Sequence, residues 1–436
     1  MSFNKKTISE YDITNKTVLV RVDYNVPLSD SGEIRDDYRI KQSIPTLNYL
    51  IEKNCKLILC AHLGRPSGPG DTKYSLAPVA KHLSQLLGRE VVFVNDCVGE
   101  AAQNAAKSLQ NGQVILLENL RFHPEEADND EAFSKQLASL AEVFVQDGFG
   151  VSHETRASTV GVTHFLPSLA GLLLEKEVDT ITSVMENPKK PLTAIVGGAK
   201  IADKIDILKR FIDIADALIV AGAMANTFLL AKGIKIGKSL ADKDDLQLAK
   251  DIMETAAAKA TQSQFVFYLP QDCVVAKTKD SNAQTRIVDW SAHIIAEIEA
   301  YPKIPTAESA QVADDEEILD IGPFSGAFVS GLSQLSSTVV WNGTLGVTET
   351  PALQGPVGPF AHGTELLVGA LTGQFGHKPY TLVGGGDTAG YISTLGLVDK
   401  FSHVSTGGGA SLDLMSGHSL PGVEALLNKD AAGVVQ

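Results

Sequence analysis

Residues 17–27 read TVLVRVDYNVP, in which an apolar run typical of a buried strand leads directly into Asp23 and Asn25. Short β-rich runs of this kind alternate with longer stretches of helical periodicity along the whole chain. Continuous apolar strands that alternate with helices indicate parallel sheets covered on both faces. The predicted strands are 17–22, 56–61, 91–95, 114–117 and 143–146, and, in the second half, 192–196, 217–220, 265–269, 338–341, 380–383 and 403–405.

A Pro-rich segment separates these two groups of strands. Residues 175–186 have a helical pattern and precede Asn187-Pro188-Lys189-Lys190-Pro191, which is suited to end a helix between domains. The 436 residues also exceed what one ordinary hydrophobic core requires. The sequence therefore predicts an α/β protein with two doubly wound, Rossmann-like parallel-sheet domains, joined by an interdomain helix and hinge.

Composition excludes several classes of partner. The net charge of −15 argues against nucleic acid or an anionic membrane surface. No apolar run approaches the roughly 18 residues of a membrane span, and residues 1–12 do not resemble a signal peptide. The four cysteines have no CxxC pair and no zinc-type spacing, which favours reduced thiols in a cytoplasmic protein. They are Cys55, Cys60, Cys97 and Cys273.

Basic side chains follow several strands of the first half. His62 and Arg65 follow the second predicted strand, Arg121 follows the fourth, and Arg39 begins a helical pattern. Each arginine alone could form a surface salt bridge. Because the carboxyl ends of parallel strands share one edge of a sheet, Arg39, Arg65 and Arg121 together predict a pocket for a small molecule with several anionic groups.

The second half carries glycine-rich strand ends instead. They are GGAK at 197–200, GAM at 222–224, GGGDT at 384–388 and, at the end of the last strand, TGGG at 406–409. A glycine-rich turn before a helix directs backbone N–H groups and the helix dipole at phosphate oxygens. One such turn is weak evidence, but four in the same half of the chain predict a phosphate-binding domain.

Three charged residues beside these turns have alternative interpretations. Lys200 and Lys204 are four residues apart in a predicted helix that follows GGAK, where they form either a solvated pair or a site for an anion. Asp387 is either an ordinary helix N-cap or, beside a bound polyphosphate, a ligand for Mg²⁺. No Walker, protein-kinase, GxSxG or HExxH motif is present, and no glycine cluster fits a dinucleotide fingerprint.

Nine motifs together resemble the phosphoglycerate kinase family, in order and over nearly the whole chain. They are RVDYNVP, DDYRI, HLGRP, LLENLRF, GGAK…DK, DIGP, WNG, GGGDT and STGGGAS. The resemblance implies a domain at 1–173 for 3-phosphoglycerate or 1,3-bisphosphoglycerate, an interdomain helix and hinge at 174–191, and a domain at 192–405 for Mg-ADP or Mg-ATP. It also implies that 406–436 return to the first domain. We expect a monomer, because the two domains must be free to move.

The resemblance also assigns residues to roles. The glycerate phosphate would be held by Asp23, Asn25, Arg39, His62, Arg65 and Arg121. The nucleotide would be held by Gly198, Lys200, Lys204, Asn342, Glu349, Gly384, Gly385, Gly386, Asp387 and Thr388, with Asp387 at the Mg²⁺ ion. Charge stabilisation of the transferring group would come from Arg39 and Lys204 and from the backbone N–H groups at Gly385 and Gly408.

Two departures from the family pattern stand out. Glu154 occupies the position of a substrate-binding arginine, and Arg156 is hypothesised to supply the missing charge. Around Glu349 the chain reads WNGT…GVTE, and the loop at 350–359 is longer than usual. These departures keep two alternatives open: a non-catalytic binding relative, and a kinase of the same fold for another acyl phosphate. An active kinase is favoured because Arg39, Lys200, Lys204 and Asp387 are all present.

Overall fold

The computed structural model describes residues 3–29, 31–290, 311–355 and 357–430. Pro356 of the longer loop, and residues 431–436 at the end of the chain, lie outside the described residues. The chain forms two compact units, of which unit 1 comprises residues 1–186 with 406–436 and unit 2 comprises residues 187–405. Among the residues described, no helix combines the length and the apolar character needed to span a bilayer.

Unit 1 is built on a parallel sheet of six strands in the order β3-β4-β2-β1-β5-β6. The strands are β1 Thr17–Arg21, β2 Lys56–Cys60, β3 Val91–Val94, β4 Val114–Leu117, β5 Val143–Gln146 and β6 Ser168–Ala170. The helices are α1 Tyr38–Glu52, α2 Ala77–Leu87, α3 Gly99–Ser108, α4 Pro124–Ala127, α5 Glu131–Ala138 and α6 Leu172–Glu186. After residue 405 the chain adds α13 Gly409–Ser416 and α14 Pro421–Glu424 to this unit.

Unit 2 repeats the architecture, with a parallel sheet in the order β15-β14-β13-β7-β8-β9. Its strands are β7 Leu192–Val196, β8 Ala217–Val220, β9 Val266–Tyr268, β13 Thr338–Asn342, β14 Tyr380–Gly384 and β15 His403–Val404. Its helices are α7 Ile205–Ile214, α8 Gly222–Ala231, α9 Leu246–Gln262, α10 Pro323–Gln334, α11 His362–Leu371 and α12 Gly386–Thr394. The prediction of two doubly wound parallel sheets is confirmed.

Unit 2 also contains a small antiparallel sheet that the sequence analysis did not predict. It has the order β11-β10-β12, formed by β10 Asp272–Ala276, β11 Arg286–Asp289 and β12 Glu317–Ile321. Its buried residues form a separate small cluster that includes Cys273, Val275 and Val288. The four cysteines are free and buried, which agrees with their interpretation as reduced thiols.

The cores of both units consist of the central strands. Val18, Leu19 and Val20 of β1 are fully buried, as is β7 from Leu192 to Val196 apart from a trace of exposure at Thr193. Burial on both sheet faces explains why these strands are continuously apolar rather than alternating, and each such side chain stabilises the fold by about 1.5–3 kcal/mol. In the two parallel sheets, charged side chains are consequently confined to the strand ends, as Arg21 and Lys56 show.

Candidate active site

The first candidate site is a cavity of about 410 Å³ within unit 1. Its lining follows the carboxyl ends of β4, β2, β1 and β5, which are consecutive in the sheet. The residues are Asp23, Asn25, Arg39, His62, Gly64, Arg65, Arg121, Gly150, Val151, His153, Glu154, Gly408 and Gly409. All the residues predicted for the glycerate phosphate line this cavity, with the exception of Arg156.

Arg39 and the loop after β1 are fixed by mutual hydrogen bonds. The guanidinium of Arg39 is 3.1 Å from the Asp23 carboxylate and donates to the Asn25 carbonyl at 3.1 Å. The side-chain oxygen of Asn25 in turn accepts from the Gly64 amide at 2.8 Å. The loops after β1 and β2 are therefore joined to the start of α1, and Arg39 is positioned before any ligand is bound.

His62 is kept in one protonation state by its burial and by an adjacent buried arginine. Arg21, which is 2% exposed, donates to His62 Nδ1 at 3.2 Å. Burial, reinforced by Arg21 and the other arginines, keeps the pKa of His62 well below its ordinary value of 6.5. Because a guanidinium can only donate, Nδ1 accepts and the proton of the neutral ring is on Nε2. His62 therefore serves the cavity as a neutral hydrogen-bond donor.

Three residues behind the cavity were not predicted. Arg21 also donates to Ser158 Oγ at 2.8 Å, and that hydroxyl donates to the buried Glu126 at 2.6 Å. This chain of hydrogen bonds compensates for the burial of one positive and one negative group. The one sequence signal was an arginine within the apolar run TVLVRV, whereas Ser158 and Glu126 are distant in sequence.

Arg121, Glu154 and Arg156 form a linked cluster. Arg121 donates to the Gly64 carbonyl at 2.9 Å, and its other terminal nitrogen is 3.4 Å from the Glu154 carboxylate. Arg156 donates to that same carboxylate at 3.0 Å and to the Ala127 carbonyl at 3.0 Å. Arg156 is absent from the cavity lining given above. Its partner is Glu154, which occupies the position of the arginine whose charge Arg156 was expected to supply.

The second candidate site is a cavity of about 200 Å³ within unit 2. Its lining includes Gly198, Glu349 and Asp387, three of the residues predicted for the nucleotide, together with the apolar side chains of Leu229, Leu319, Ile321, Leu345 and Val347. An apolar lining with a few polar groups is typical of a pocket for a small molecule or a cofactor. The strands that end beside it, β14, β13, β7 and β8, are consecutive in the sheet.

The turns of unit 2 approach one another too closely for side chains. A Cβ atom on Gly197 would lie 2.2 Å from the carbonyl oxygen of Thr344. Gly385, between Gly384 and Gly386, has a φ of +93°, which favours glycine. Thr388 accepts a hydrogen bond from the Gly343 amide at 2.9 Å, joining the loop after β13 to the first turn of α12. These glycines bring backbone amides to one edge of the sheet.

Lys204 is anchored at this edge. Its ammonium donates to the Gly197 carbonyl and to the Asn342 side-chain oxygen, at 2.6 Å each. Burial lowers the pKa of Lys204 to about 8, although the nearby carboxylates of Asp387 and Asp203 oppose the shift. Lys204 is therefore a cation whose charge an arriving anion would stabilise.

The prediction that Lys200 and Lys204 share a helix is wrong. Helix α7 begins at Ile205, after a short 3-10 turn at Ala202–Lys204, and Lys200 lies in the preceding loop with its side chain exposed. The positive φ of Gly198, +115°, redirects the chain after β7 and delays the helix. The two lysines are therefore not a like-charged pair on one helical face.

Asp387 is not the N-cap of its helix. Gly385 has that position, and Asp387 lies in the first turn of α12, where the helix dipole favours a carboxylate. Its side chain is exposed and lines the cavity. A solvent-accessible carboxylate oxygen next to a glycine-rich turn fits the ligand preference of Mg²⁺, which combines one or two carboxylates with phosphate oxygens.

Comparison with known proteins gives one consistent family. The family model for phosphoglycerate kinase matches residues 8–418. The phosphoglycerate kinases of Moorella thermoacetica and Gloeothece citriformis are 44% and 45% identical to this chain, covering 98% and 97% of it and 100% and 99% of their own lengths. Solved phosphoglycerate kinases from Coxiella burnetii (35% identity, TM-score 0.76) and Pyrococcus horikoshii (28% identity, TM-score 0.81) each cover 97% of this chain and are covered to 98%.

Proposed function

The chain belongs to the phosphoglycerate kinase family, and we propose that it transfers a phosphoryl group reversibly between 1,3-bisphosphoglycerate and Mg-ADP. The products are 3-phosphoglycerate and Mg-ATP. The observation that carries the proposal is the pairing of two sites: an arginine-lined cavity in unit 1, and a cavity beside glycine-rich turns in unit 2. The first suits a small phosphorylated acid, and the second suits a nucleotide.

The acid substrate is assigned to the cavity of unit 1. Arg39, Arg65 and Arg121 offer guanidinium donors, whose planar geometry matches carboxylate and phosphate oxygens. Neutral His62 donates through Nε2, and Asp23 and Asn25 keep Arg39 in place. Arg156 acts here through Glu154.

The nucleotide is assigned to unit 2. The amides of the turns at Gly198 and Gly384–Gly386 would face the phosphates, and Glu349 would accept from the ribose hydroxyls. Lys204, with Asn342 and Thr388 supporting the turns, would neutralise phosphate charge, and exposed Lys200 would add to it. Asp387 would hold Mg²⁺, which supplies charge neutralisation at the phosphate oxygens.

The reaction needs no general base, because the acceptor is already an anionic oxygen in either direction: a phosphate oxygen of ADP, or the carboxylate of 3-phosphoglycerate. Catalysis then consists of alignment and charge neutralisation, to which Arg39, Lys204 and the backbone N–H groups at Gly385 and Gly408 contribute. Because both ligands must meet for in-line transfer, we propose closure about a hinge at 174–191, which also excludes water. The monomeric state and the cytoplasmic location stay predictions.

A coupled assay tests the proposed function. Mg-ATP and 3-phosphoglycerate are supplied, and the 1,3-bisphosphoglycerate formed is reduced by a second enzyme. We expect turnover on the order of 1–10³ per second, the ordinary range for enzymes. No turnover, with ATP binding intact and a control kinase active in the same assay, would favour a binding relative or a kinase for another acyl phosphate.

A further inference from the structure

The cavity of unit 1 contains a carboxylate that is unexpected in a site for anions. Glu154 lines it together with Arg39, Arg65 and Arg121. With Asp23, two carboxylates face three arginines, and His62 is neutral, so the net charge of these groups is only one positive. The proposed substrate, 3-phosphoglycerate, carries both a carboxylate and a phosphate. The net positive charge of these lining groups is therefore smaller in magnitude than the negative charge of the ligand.

The position of Glu154 is fixed by its backbone. Its amide donates to the Val151 carbonyl at 3.0 Å, and its carbonyl accepts from Thr159 Oγ1 at 2.7 Å. Its carboxylate is 3.4 Å from Arg121 and accepts from Arg156 at 3.0 Å. Burial opposes ionisation, but the hydrogen bond from Arg156 and the charges of both arginines together hold the pKa of Glu154 below its ordinary value. The carboxylate is therefore ionised at neutral pH.

We propose that Glu154 is an intramolecular competitor for the anion site. Its carboxylate pairs with Arg121 in the way that a substrate anion would, so that 3-phosphoglycerate gains Arg121 only by displacing it. The inference rests on the proposed function, because it concerns the affinity of that substrate. Glu154 thereby sets the strength with which the cavity binds a phosphorylated acid.

Arg156 is a positioning residue in this arrangement. Its terminal nitrogen donates to the Ala127 carbonyl at 3.0 Å, which fixes the guanidinium while its Nε holds Glu154. When Arg121 turns to the substrate, Arg156 still compensates the charge of Glu154. A cavity that had to leave Glu154 unpaired would bind an anion less well, since an unpaired and partly buried charge is costly.

The substitution Glu154→Gln isolates the charge of this side chain. Glutamine keeps the size and an acceptor oxygen, but it no longer competes as an anion for Arg121. We expect the dissociation constant of 3-phosphoglycerate to fall about tenfold, a change that corresponds to about 1.4 kcal/mol. Glu142→Gln is the matched control, because it removes the same charge from an exposed carboxylate paired with Lys16 at 3.2 Å.

The experiment titrates 3-phosphoglycerate calorimetrically into the full-length protein without nucleotide. The proposal requires tighter binding by Glu154→Gln than by the wild type, and an unchanged dissociation constant for Glu142→Gln. Unchanged or weaker binding by Glu154→Gln would overturn the proposal and make Glu154 a group that orients Arg121 for the substrate. The coupled assay on the same wild-type sample separates the two claims: absent turnover refutes the proposed function, whereas turnover without a Glu154→Gln effect on binding refutes only the competitor.

A double-mutant cycle distinguishes the roles of Arg156. If Arg156 acts only through Glu154, Arg156→Ala weakens 3-phosphoglycerate binding in the wild-type background, because Glu154 then pairs more firmly with Arg121. In the Glu154→Gln background the same substitution has no effect on the dissociation constant. An equal loss in both backgrounds would show that Arg156 contacts the substrate directly, and would overturn its assignment as a positioning residue.

Discussion

We expect the protonation of Lys204 to be coupled to nucleotide binding. Burial lowers its pKa to about 8 in the free protein, and a bound polyphosphate would raise the pKa again because a nearby anion favours the charged ammonium. At a pH between the free and bound pKa values, the protein therefore takes up protons as nucleotide binds. We predict that nucleotide affinity falls as the pH rises above about 8, and that Lys204→Met abolishes the proton uptake.

Calorimetric titration of ATP in buffers of different ionisation enthalpy measures this uptake. The matched control is Lys209→Met, which removes an exposed lysine from α7 and should leave the uptake of the wild type intact. Wild-type binding without proton exchange above pH 8, or uptake that persists in Lys204→Met, would contradict the prediction.

At the level of single residues, part of the cavity lining could be predicted from the sequence. Polar side chains that directly follow a buried strand do not contribute to the hydrophobic core, so they indicate a binding site at that edge of the sheet. Asp23, His62 and Arg121 were found in this way. Arg21 and Glu126 were not, because their partners are separated in sequence by many residues. Arg156 was expected to replace a missing charge, but only the three-dimensional structure reveals that Glu154 is its partner.

The start of helix α6 depends on one buried carboxylate at the end of β5. Asp147 accepts from the Thr46 hydroxyl at 2.9 Å and from the Leu173 amide at 3.0 Å, so β5, α1 and α6 meet at its side chain. Burial raises the pKa of Asp147 to about 7. The hydrogen bonds that Asp147 accepts therefore stabilise its charged form against the cost of burial. We predict that Thr46→Val destabilises the protein by about 1–3 kcal/mol, the cost of leaving a buried group short of a partner.

The midpoint of urea unfolding measures this loss, and it should fall with no change in the slope of the transition. Thr14→Val is the control, because Thr14 is exposed and its loss should leave the midpoint unchanged. An equal midpoint for Thr46→Val and the wild type would contradict the view that Asp147 anchors α6.

Strands with a continuous apolar sequence could be predicted, whereas strands that contain charged residues, and a helix start that is set by a loop, could not. The central strands of both sheets are apolar throughout, so their positions follow from burial alone. The antiparallel sheet β11-β10-β12 escaped prediction because charged residues such as Asp272, Arg286 and Glu317 interrupt the apolar sequence of its strands. Helix α7 began later than expected because the turn at Gly198 continues into a 3-10 turn.

Unit 1 is formed by two segments that are distant in sequence, and this arrangement leads to a prediction about the whole molecule. The chain returns to this unit after residue 405, where Glu177 of α6 accepts from the amide and hydroxyl of Thr406 at 2.6 and 2.7 Å. Met415 of α13 is fully buried in the same unit. Met415→Ala therefore removes packing from unit 1, whose strands all end by Ala170, and we expect a cost of about 2–5 kcal/mol.

Hydrogen exchange locates where that cost falls, because amides protected by a destabilised core exchange faster. In Met415→Ala the amides of β1 and β5 should lose protection, while those of β7 and β13 keep it, since the last residues of the chain belong to unit 1. Met224→Ala is the reciprocal control, because Met224 is fully buried in α8 of unit 2 and should produce the opposite pattern. Equal loss in both sheets from either substitution would mean that the two units unfold as one, and that the C-terminal segment stabilises the molecule rather than unit 1 alone.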